Sequence, residues 1–190
     1  QDWDITTSAT PQEVKKIFRR TVDTGIEHGT VTVLIDKEHF EVTTYRIDGE
    51  YEDGRHPKQV SFTLSLEEDL KRRDFTINAM AYNEEQGFVD LFGGLDDIRA
   101  GLIRCVGSAE DRFDEDALRI LRAVRFSAQL GFEIEAETMK AIKAKAKNLA
   151  YISAERIREE LNKLLLSEHT DRLRILYESE LPILFCLNSI

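Results

Sequence analysis

Hydrophobic residues at helical spacing mark the stretch 114–130 most clearly. Its apolar positions recur at intervals of four and three residues, which predicts a helix with one apolar face. They are Ala117, Leu121, Val124 and Ala128. Asp114 suits the N-cap of this helix, and Gly131 follows the last apolar residue, where helices commonly end.

The pattern changes near residue 108. Before it, strand and helix signals are mixed, with a capping box at Thr10 and Glu13 and a hairpin over 30–35 and 40–47. After it, helical periodicity continues to the end, over 109–113, 114–130, 135–148, 153–166 and 168–178. The sequence therefore predicts an α+β domain at 1–107 and an all-α domain at 108–190.

Composition indicates a folded protein with 42% hydrophobic and 33% charged residues. The formal net charge of −10 argues against a protein that binds nucleic acid through its overall charge. A local basic groove is still compatible with this net charge. Cys105 and Cys186 lack metal-ligand spacing and are expected to be buried thiols of a cytoplasmic protein. No secretory leader and no apolar run of membrane length is present, so we expect no membrane partner.

The polar residues of the 114–130 stretch suggest chemistry. Asp116, Arg119, Arg122 and Arg125 follow one another at intervals of three. A carboxylate accepts from an exocyclic amine and a guanidinium donates to a ring nitrogen or carbonyl, so this set could read the Watson–Crick edge of a base. The alternative is a solvated helix face with ordinary ion pairs.

Carboxylates near the start of the chain suggest a metal site. Asp2 and Asp4 alternate along a predicted strand and therefore share one face. Oxygen ligands this close suit a hard divalent ion such as Mg²⁺, and Glu41 could complete the set if its strand lies alongside. The alternatives are a polar strand face for the two aspartates and an exposed edge-strand position for Glu41.

Three consecutive cations at 71–73 precede Asp74 and Asn78. Cations suit triphosphate oxygens and the Asp and Asn side chains suit ribose hydroxyls, although such a triplet alone is usually a surface cluster. The polar connection 48–61 is long enough to be a mobile functional loop.

Taken together, four motifs resemble the class II tRNA nucleotidyltransferases. This family comprises the CCA-adding enzymes and bacterial poly(A) polymerases of the polymerase-β-like superfamily. The resemblance covers nearly all of 2–166. The motifs are the stretches 2–11, 72–81 and 90–94, and 115–119 continued by Arg122, Arg125 and Phe126.

The resemblance implies a polymerase-β-like head followed by a helical neck and the start of a body. It implies that Asp2 and Asp4 bind two Mg²⁺ ions, with Glu41 as the third catalytic carboxylate. The implied reaction is transfer of CMP and AMP from CTP and ATP to the 3′ end of tRNA. The residues implied to contact the nucleotide are Arg73, Asp74, Asn78, Asp116, Arg119, Arg122 and Arg125.

The sequence departs from the family pattern at both ends. The glycine-rich stretch upstream of the first aspartate is missing, and the body and tail helices are mostly absent, so we expect little or no transfer by this chain alone. Poly(A) synthesis and CC-only or A-only addition remain alternatives, as does an inactive RNA- or partner-binding piece. The apolar stretch 181–187 is expected to support self-association.

Overall fold

The computed structural model describes residues 4–49 and 60–179. The chain divides into two compact units between Arg72 and Arg73. Within the described residues, the first unit holds 4–49 and 60–72, and the second holds 73–179. The predicted segment 181–187, with Cys186, lies outside the described residues, and so does Asp2.

The first unit is built on a sheet of four strands. They are β1 (Ile5–Thr7), β2 (Thr21–Gly25), β3 (Thr30–Ile35) and β4 (Glu38–Thr44), ordered β1-β4-β3-β2. The β3–β4 hairpin confirms the predicted one, and β1 pairs with β4 in parallel. Strands β5 (Arg46–Asp48) and β6 (Val60–Phe62) pair antiparallel on either side of 50–59. Most of the predicted mobile loop at 48–61 therefore falls on residues that are not described.

Two short helices complete the first unit, α1 (Pro11–Ile17) and α2 (Leu66–Lys71). The capping box is confirmed, because the Thr10 hydroxyl accepts from the Glu13 N–H and the Glu13 carboxylate accepts from the Thr10 N–H. Alternate residues of β3 pack against α1. The buried core consists of Val14, Val31, Val33 and Val42.

The second unit begins with a hairpin and continues with helices. Its strands are β7 (Met80–Asn83), β8 (Gly87–Asp90), β9 (Leu102–Ile103) and β10 (Glu133–Ile134). Its helices are α3 (Gly94–Ala100), α4 (Ala109–Glu115), α5 (Leu118–Leu130), α6 (Ala136–Lys145), α7 (Ala154–Leu165) and α8 (Arg174–Glu178). Turns of 3₁₀ helix occur at Thr76–Asn78, Ala146–Tyr151 and Thr170–Leu173.

Helix α5 lies at the centre of the second hydrophobic core. The predicted apolar face is confirmed, since Ala117, Leu121, Val124 and Ala128 are all buried. Phe75, Ile103 and Cys105 belong to the same core cluster as α5. By packing, the chain therefore divides at Arg72/Arg73, earlier than the predicted domain boundary at 107/108, which stays a prediction.

The single helix predicted over 114–130 is wrong. Helix α4 ends at Glu115, Asp116 is extended (φ −146°, ψ 103°), and α5 begins at Leu118. Asp114 therefore lies inside α4 and is not an N-cap. The interruption has a local cause, because the Asp116 carboxylate accepts from the Leu118 N–H and so competes with helical hydrogen bonding. Gly131, with φ 70°, ends α5 as predicted.

Cys105 confirms the prediction of a buried thiol. Burial raises the pKa of this thiol to about 12, so it is neutral at physiological pH. Among the helices of the described residues, none has the length and apolar character needed to cross a bilayer.

Candidate functional site

The predicted acidic site lies at the start of β1. Asp4 is exposed and directly precedes Ile5, which pairs with Val42 of β4 in a parallel register. Continuing that register by one residue sets Asp4 opposite Glu41, which is also exposed. Residues opposite each other on neighbouring strands share a face, so the sheet brings these two carboxylates to one face of the first unit.

This pair has the chemistry that a hard divalent cation requires. Both carboxylates are exposed, and oxygen is the ligand atom that Mg²⁺ prefers. Over residues 4–49 and 60–179, no group of three His, Cys, Asp or Glu side chains could hold a metal. The predicted three-carboxylate set includes Asp2, so it is not contained within that part of the chain.

Three of the predicted nucleotide contacts form one cluster in the second unit. The Asp74 Oδ2 accepts from Arg122 Nε at 2.7 Å, and its Oδ1 accepts from Asn78 Nδ2 at 3.1 Å and from the Phe75 N–H at 2.9 Å. Burial alone raises the pKa of Asp74, but the Arg122 charge and these hydrogen bonds outweigh it and lower the pKa. The cluster joins α5 to the turn around 74–78.

Asp116 and Arg119 each bond to a charged side chain nearby. The guanidinium of Arg156, on α7, donates to both Asp116 oxygens, at 2.8 and 3.4 Å. Arg119 donates to Glu115 at 2.6 Å, and Glu115 also pairs with Arg112. Both side chains are therefore fixed at the interruption between α4 and α5. Sequence reasoning missed Arg156 because its partner lies 40 residues away.

Arg125 lies in the interior of the second unit. It is 8% exposed, and its Nε donates to Glu160 of α7 at 2.5 Å. Its guanidinium also lies 4.0 Å from the centre of the Phe126 ring. These contacts favour a role in holding α7 against α5. Arg156 and Glu160 are four residues apart on α7 and so lie on the same side of this helix. That spacing was the sequence signal that could have identified both residues as partners of α5.

The geometry of α5 explains why its arginines have different partners. A step of three residues on an α-helix turns the side chain by about 60° from the previous one. Arg119, Arg122 and Arg125 therefore face α4, the turn at 74–78 and α7 in succession. Arg73, half-buried, directly precedes that turn.

The motif at 90–94 leads into α3, and its last residue, Gly94, is the first residue of that helix. The Asp90 carboxylate accepts from the Gly94 and Leu95 N–H groups at 2.8 and 2.9 Å. The burial of this carboxyl raises its pKa, but the backbone hydrogen bonds prevail and the pKa of Asp90 lies below its ordinary value. Gly93 has a φ of 77°, a left-handed conformation that favours glycine.

Comparison with known proteins connects this geometry to a family. Residues 1–104 match the family described as poly A polymerase head domain, and residues 131–184 match the one described as probable RNA and SrmB- binding site of polymerase A. The chain is 57% identical over 171 residues to the CCA-adding enzyme of Leuconostoc mesenteroides, covering 90% of this chain and 43% of that protein. It is 56% identical over 168 residues to that of Lactiplantibacillus plantarum, covering 88% and 41%.

Solved structures agree with these matches. The Bacillus stearothermophilus CCA-adding enzyme in complex with CTP aligns with 48% identity and a TM-score of 0.85, over 94% of this chain and 43% of that one. The Thermotoga maritima CCA-adding enzyme complexed with tRNA aligns with 26% identity and a TM-score of 0.70, over 90% and 39%. The resemblance and the α+β nucleotidyltransferase fold predicted from the sequence are confirmed. The chain spans less than half the length of these curated relatives.

Proposed function

This chain belongs to the poly A polymerase head domain family, and from that membership we propose that the protein transfers CMP and AMP to the 3′ end of tRNA. CTP and ATP would be the donors, and the reaction would need no nucleic-acid template. The proteins that support CCA addition are relatives more than 50% identical, each named a CCA-adding enzyme. We propose the cytoplasm as the site of this activity.

The observation that carries the proposal is the anchoring of Asp116 and Arg119. A carboxylate fixed by Arg156 can accept from the exocyclic amine of cytosine or adenine, and Arg119, paired with Glu115, can donate to the base. Guanine and uracil carry a carbonyl oxygen in that position, which would face the carboxylate without a hydrogen to donate. The cost of such a mismatch is roughly 1–3 kcal/mol.

The acidic face of the first unit supports the transfer step. Asp4 and Glu41, together with Asp2, would hold divalent cations, which we propose to be Mg²⁺. Bound there, the cation would lower the pKa of the attacking hydroxyl and stabilise the leaving oxygens. The tRNA 3′-hydroxyl oxygen would bond to the α-phosphorus, the bond to the β-phosphate oxygen would break, and pyrophosphate would leave while the hydroxyl proton passes to solvent.

Replacing Asp4 tests the transfer step. We expect D4N in the full-length protein to lower kcat for CTP addition at least about 10³-fold, because one metal ligand supplies several kcal/mol of transition-state stabilisation. Affinity for tRNA should be unchanged. D23N is the control, since Asp23 is an exposed carboxylate of the same unit that pairs with Lys15. Full activity of D4N would overturn the proposed role.

The products of the full-length protein separate the alternatives. The assay offers three tRNAs, each ending before a different one of the three terminal nucleotides, and a CCA-adding enzyme should extend all three to the same 3′ end. Poly(A) synthesis is the first alternative, because the matched family is described as a poly A polymerase head domain. Repeated AMP addition would identify that activity, and arrest after CC, or addition of A alone, would identify partial enzymes. A protein that binds tRNA but transfers nothing with Mg²⁺ or Mn²⁺ would be an RNA-binding protein.

A further inference from the structure

Threonines lie on the same face of the four-stranded sheet as Asp4 and Glu41. Alternate residues of a strand share a face, so Thr6 follows Asp4 on that face of β1. Thr43 follows Glu41 on β4 for the same reason, and the register pairs Thr43 with both Thr6 and Thr30 of β3. A row of three threonines therefore runs across the sheet beside the two carboxylates, about 7 Å away along the strands.

The hydroxyl hydrogens of this row are only partly used. Thr30 Oγ1 and Thr43 Oγ1 lie 3.0 Å apart, so one of them donates to the other. Thr6 donates instead to the backbone carbonyl of Thr43, at 3.3 Å. Over residues 4–49 and 60–179, neither hydroxyl of the Thr30–Thr43 pair has another side-chain or backbone partner. Because each hydroxyl carries one hydrogen, the pair keeps one to donate outward, together with unused acceptor positions.

A second threonine pair on this face is less accessible. Thr24 Oγ1 and Thr32 Oγ1 lie 2.9 Å apart, and Thr32 is only 6% exposed. Thr30 and Thr43 are both half-buried, so a ligand at this face of the sheet can reach them. The Thr30–Thr43 pair is therefore the one that can bind a substrate group.

The chemistry of the pair fits a sugar hydroxyl. Two neutral hydroxyls both donate and accept, as a sugar hydroxyl does, whereas triphosphate oxygens bind most strongly to cations. The carboxylates proposed to activate the 3′-hydroxyl of tRNA lie beside the pair. In RNA, the 2′-hydroxyl is attached to the ribose carbon next to the one that carries the 3′-hydroxyl. A ribose held at the carboxylates by its 3′-oxygen can thus direct its 2′-hydroxyl toward the threonines.

We propose that the Thr30–Thr43 pair hydrogen-bonds to the 2′-hydroxyl of the terminal ribose of the acceptor tRNA. The 2′-hydroxyl is the group that distinguishes RNA from DNA, so the pair would select an RNA end over a DNA end. This inference rests on the proposed function for the position of the 3′-hydroxyl. It assigns the two threonines to the acceptor strand, in contrast to Asp116 and Arg119, which are proposed for the incoming base.

A tRNA with a 2′-deoxyribose at its 3′ end tests the pair in the full-length protein. In the wild type, we expect kcat/KM for addition of the first CMP to be about 3- to 10-fold higher with a ribose end, as one hydrogen bond allows. T30V/T43V should lower this ratio to about 1, because valine has the shape of threonine without its hydroxyl. T30S/T43S retains both hydroxyls and should keep most of the ratio. Partial unfolding of a variant does not change the ratio, since both tRNAs meet the same protein.

T21V is the matched control. Thr21 is also a half-buried threonine of this sheet, but it pairs with Val33 and therefore lies on the opposite face, which α1 covers. It should retain the wild-type ratio. Equal ratios in the wild type and T30V/T43V would overturn the proposal, because the hydroxyls would then bind only water. A T30V/T43V variant that keeps the ratio but has a higher KM for CTP would also overturn it, by assigning the pair to the triphosphate.

A binding measurement separates this inference from the proposed function. If the full-length protein transfers no nucleotide, the proposed function fails. The same ratio is then measured between the Kd values of the two tRNAs, and a ratio that T30V/T43V abolishes would still support the hydroxyl contact.

Discussion

Asp74 remains charged although it is only 8% exposed. Its desolvation is offset by the Arg122 guanidinium, by Asn78 and by a backbone N–H, which together satisfy both carboxylate oxygens. Protonating Asp74 would remove an ion pair between α5 and the turn at 74–78. The cluster therefore contributes to stability whether or not it also contacts a nucleotide.

The pH dependence of unfolding should reveal this contribution. The pKa of Asp74 is lower in the folded protein than the value of about 3.9 expected in the unfolded chain. The contribution of Asp74 to the free energy of unfolding is therefore fully present above about pH 4 and is lost as the pH falls through the folded-state pKa. We expect the difference in unfolding free energy between wild type and D74N, measured in urea, to shrink below about pH 4.

D96N supplies the control for this measurement. Asp96 pairs with Arg99, but both side chains are more than 70% exposed, so such a pair contributes little. Its unfolding free energy should follow the wild-type pH curve. A D74N difference that stays constant from pH 6 to pH 3 would show that the charge of Asp74 does not stabilise the fold.

Single residues show where sequence reasoning reaches its limit. The sequence identified Asp74, Asn78 and Arg122 as chemically significant, because their types and motif positions are visible in it. It did not identify them as partners, since 48 residues separate Asp74 from Arg122 and tertiary packing decides the pairing. The proposed nucleotide contacts of this set stay predictions.

At the scale of elements, the packing of α3 depends on Gly94. A Cβ at this position would lie 2.3 Å from the Thr76 carbonyl oxygen and 2.8 Å from the Met80 sulfur. The nearest atom belongs to backbone, which cannot turn aside as a side chain can. The second glycine of the 90–94 motif thus allows α3 to approach the 3₁₀ turn at Thr76–Asn78.

Substituting Gly94 should therefore be costly. We expect G94A to lower the free energy of unfolding by about 1–3 kcal/mol, because the added methyl forces the backbone segments apart. G25A is the control, since a Cβ at Gly25 meets its nearest atom at an ordinary 3.5 Å. Urea unfolding of both variants gives the comparison, and equal stabilities would show that α3 accommodates the methyl.

Element positions were largely predictable because periodicity and capping are local properties. The capping box of α1, the β3–β4 hairpin and the end of α5 at Gly131 are confirmed. The interruption at Asp116 was not predicted, because the apolar spacing continues through it. The hydrogen bond from the Leu118 N–H to the Asp116 side chain interrupts the helix, and the spacing of apolar residues does not reveal such a bond.

At the scale of the whole molecule, the chain separates into a small and a large packing unit. The smaller core has four buried valine side chains, and the larger one surrounds α5. Sequence composition changes near 108, close to the end of the matched head domain at 104. The division between the two packing units comes earlier, at Arg72/Arg73, because Phe75 and Ile103 are buried in the same core as α5. The local sequence pattern does not show which of the two cores these residues join.

The base selection proposed above depends on contacts between residues that are distant in sequence. The Asp116 carboxylate accepts hydrogen bonds from two sources. One is the Leu118 N–H, two residues further along the chain, and the other is the Arg156 guanidinium of α7, which donates two hydrogen bonds. The first alone leaves the carboxylate free to turn about its bonds. If Asp116 contacts the base as proposed above, Arg156 is a positioning residue that acts through it.

In the full-length protein, we expect R156A to lower discrimination for CTP and ATP over UTP and GTP about tenfold, as the ratio of kcat/KM values, because a mobile acceptor no longer penalises the wrong base. R156K should restore it in part, since an ammonium cannot donate in the forked geometry of a guanidinium. R158A, on an exposed part of α7, should behave as wild type. Lower activity of R156A with unchanged discrimination would assign Arg156 a purely structural role, because general loosening of the helices slows every nucleotide alike.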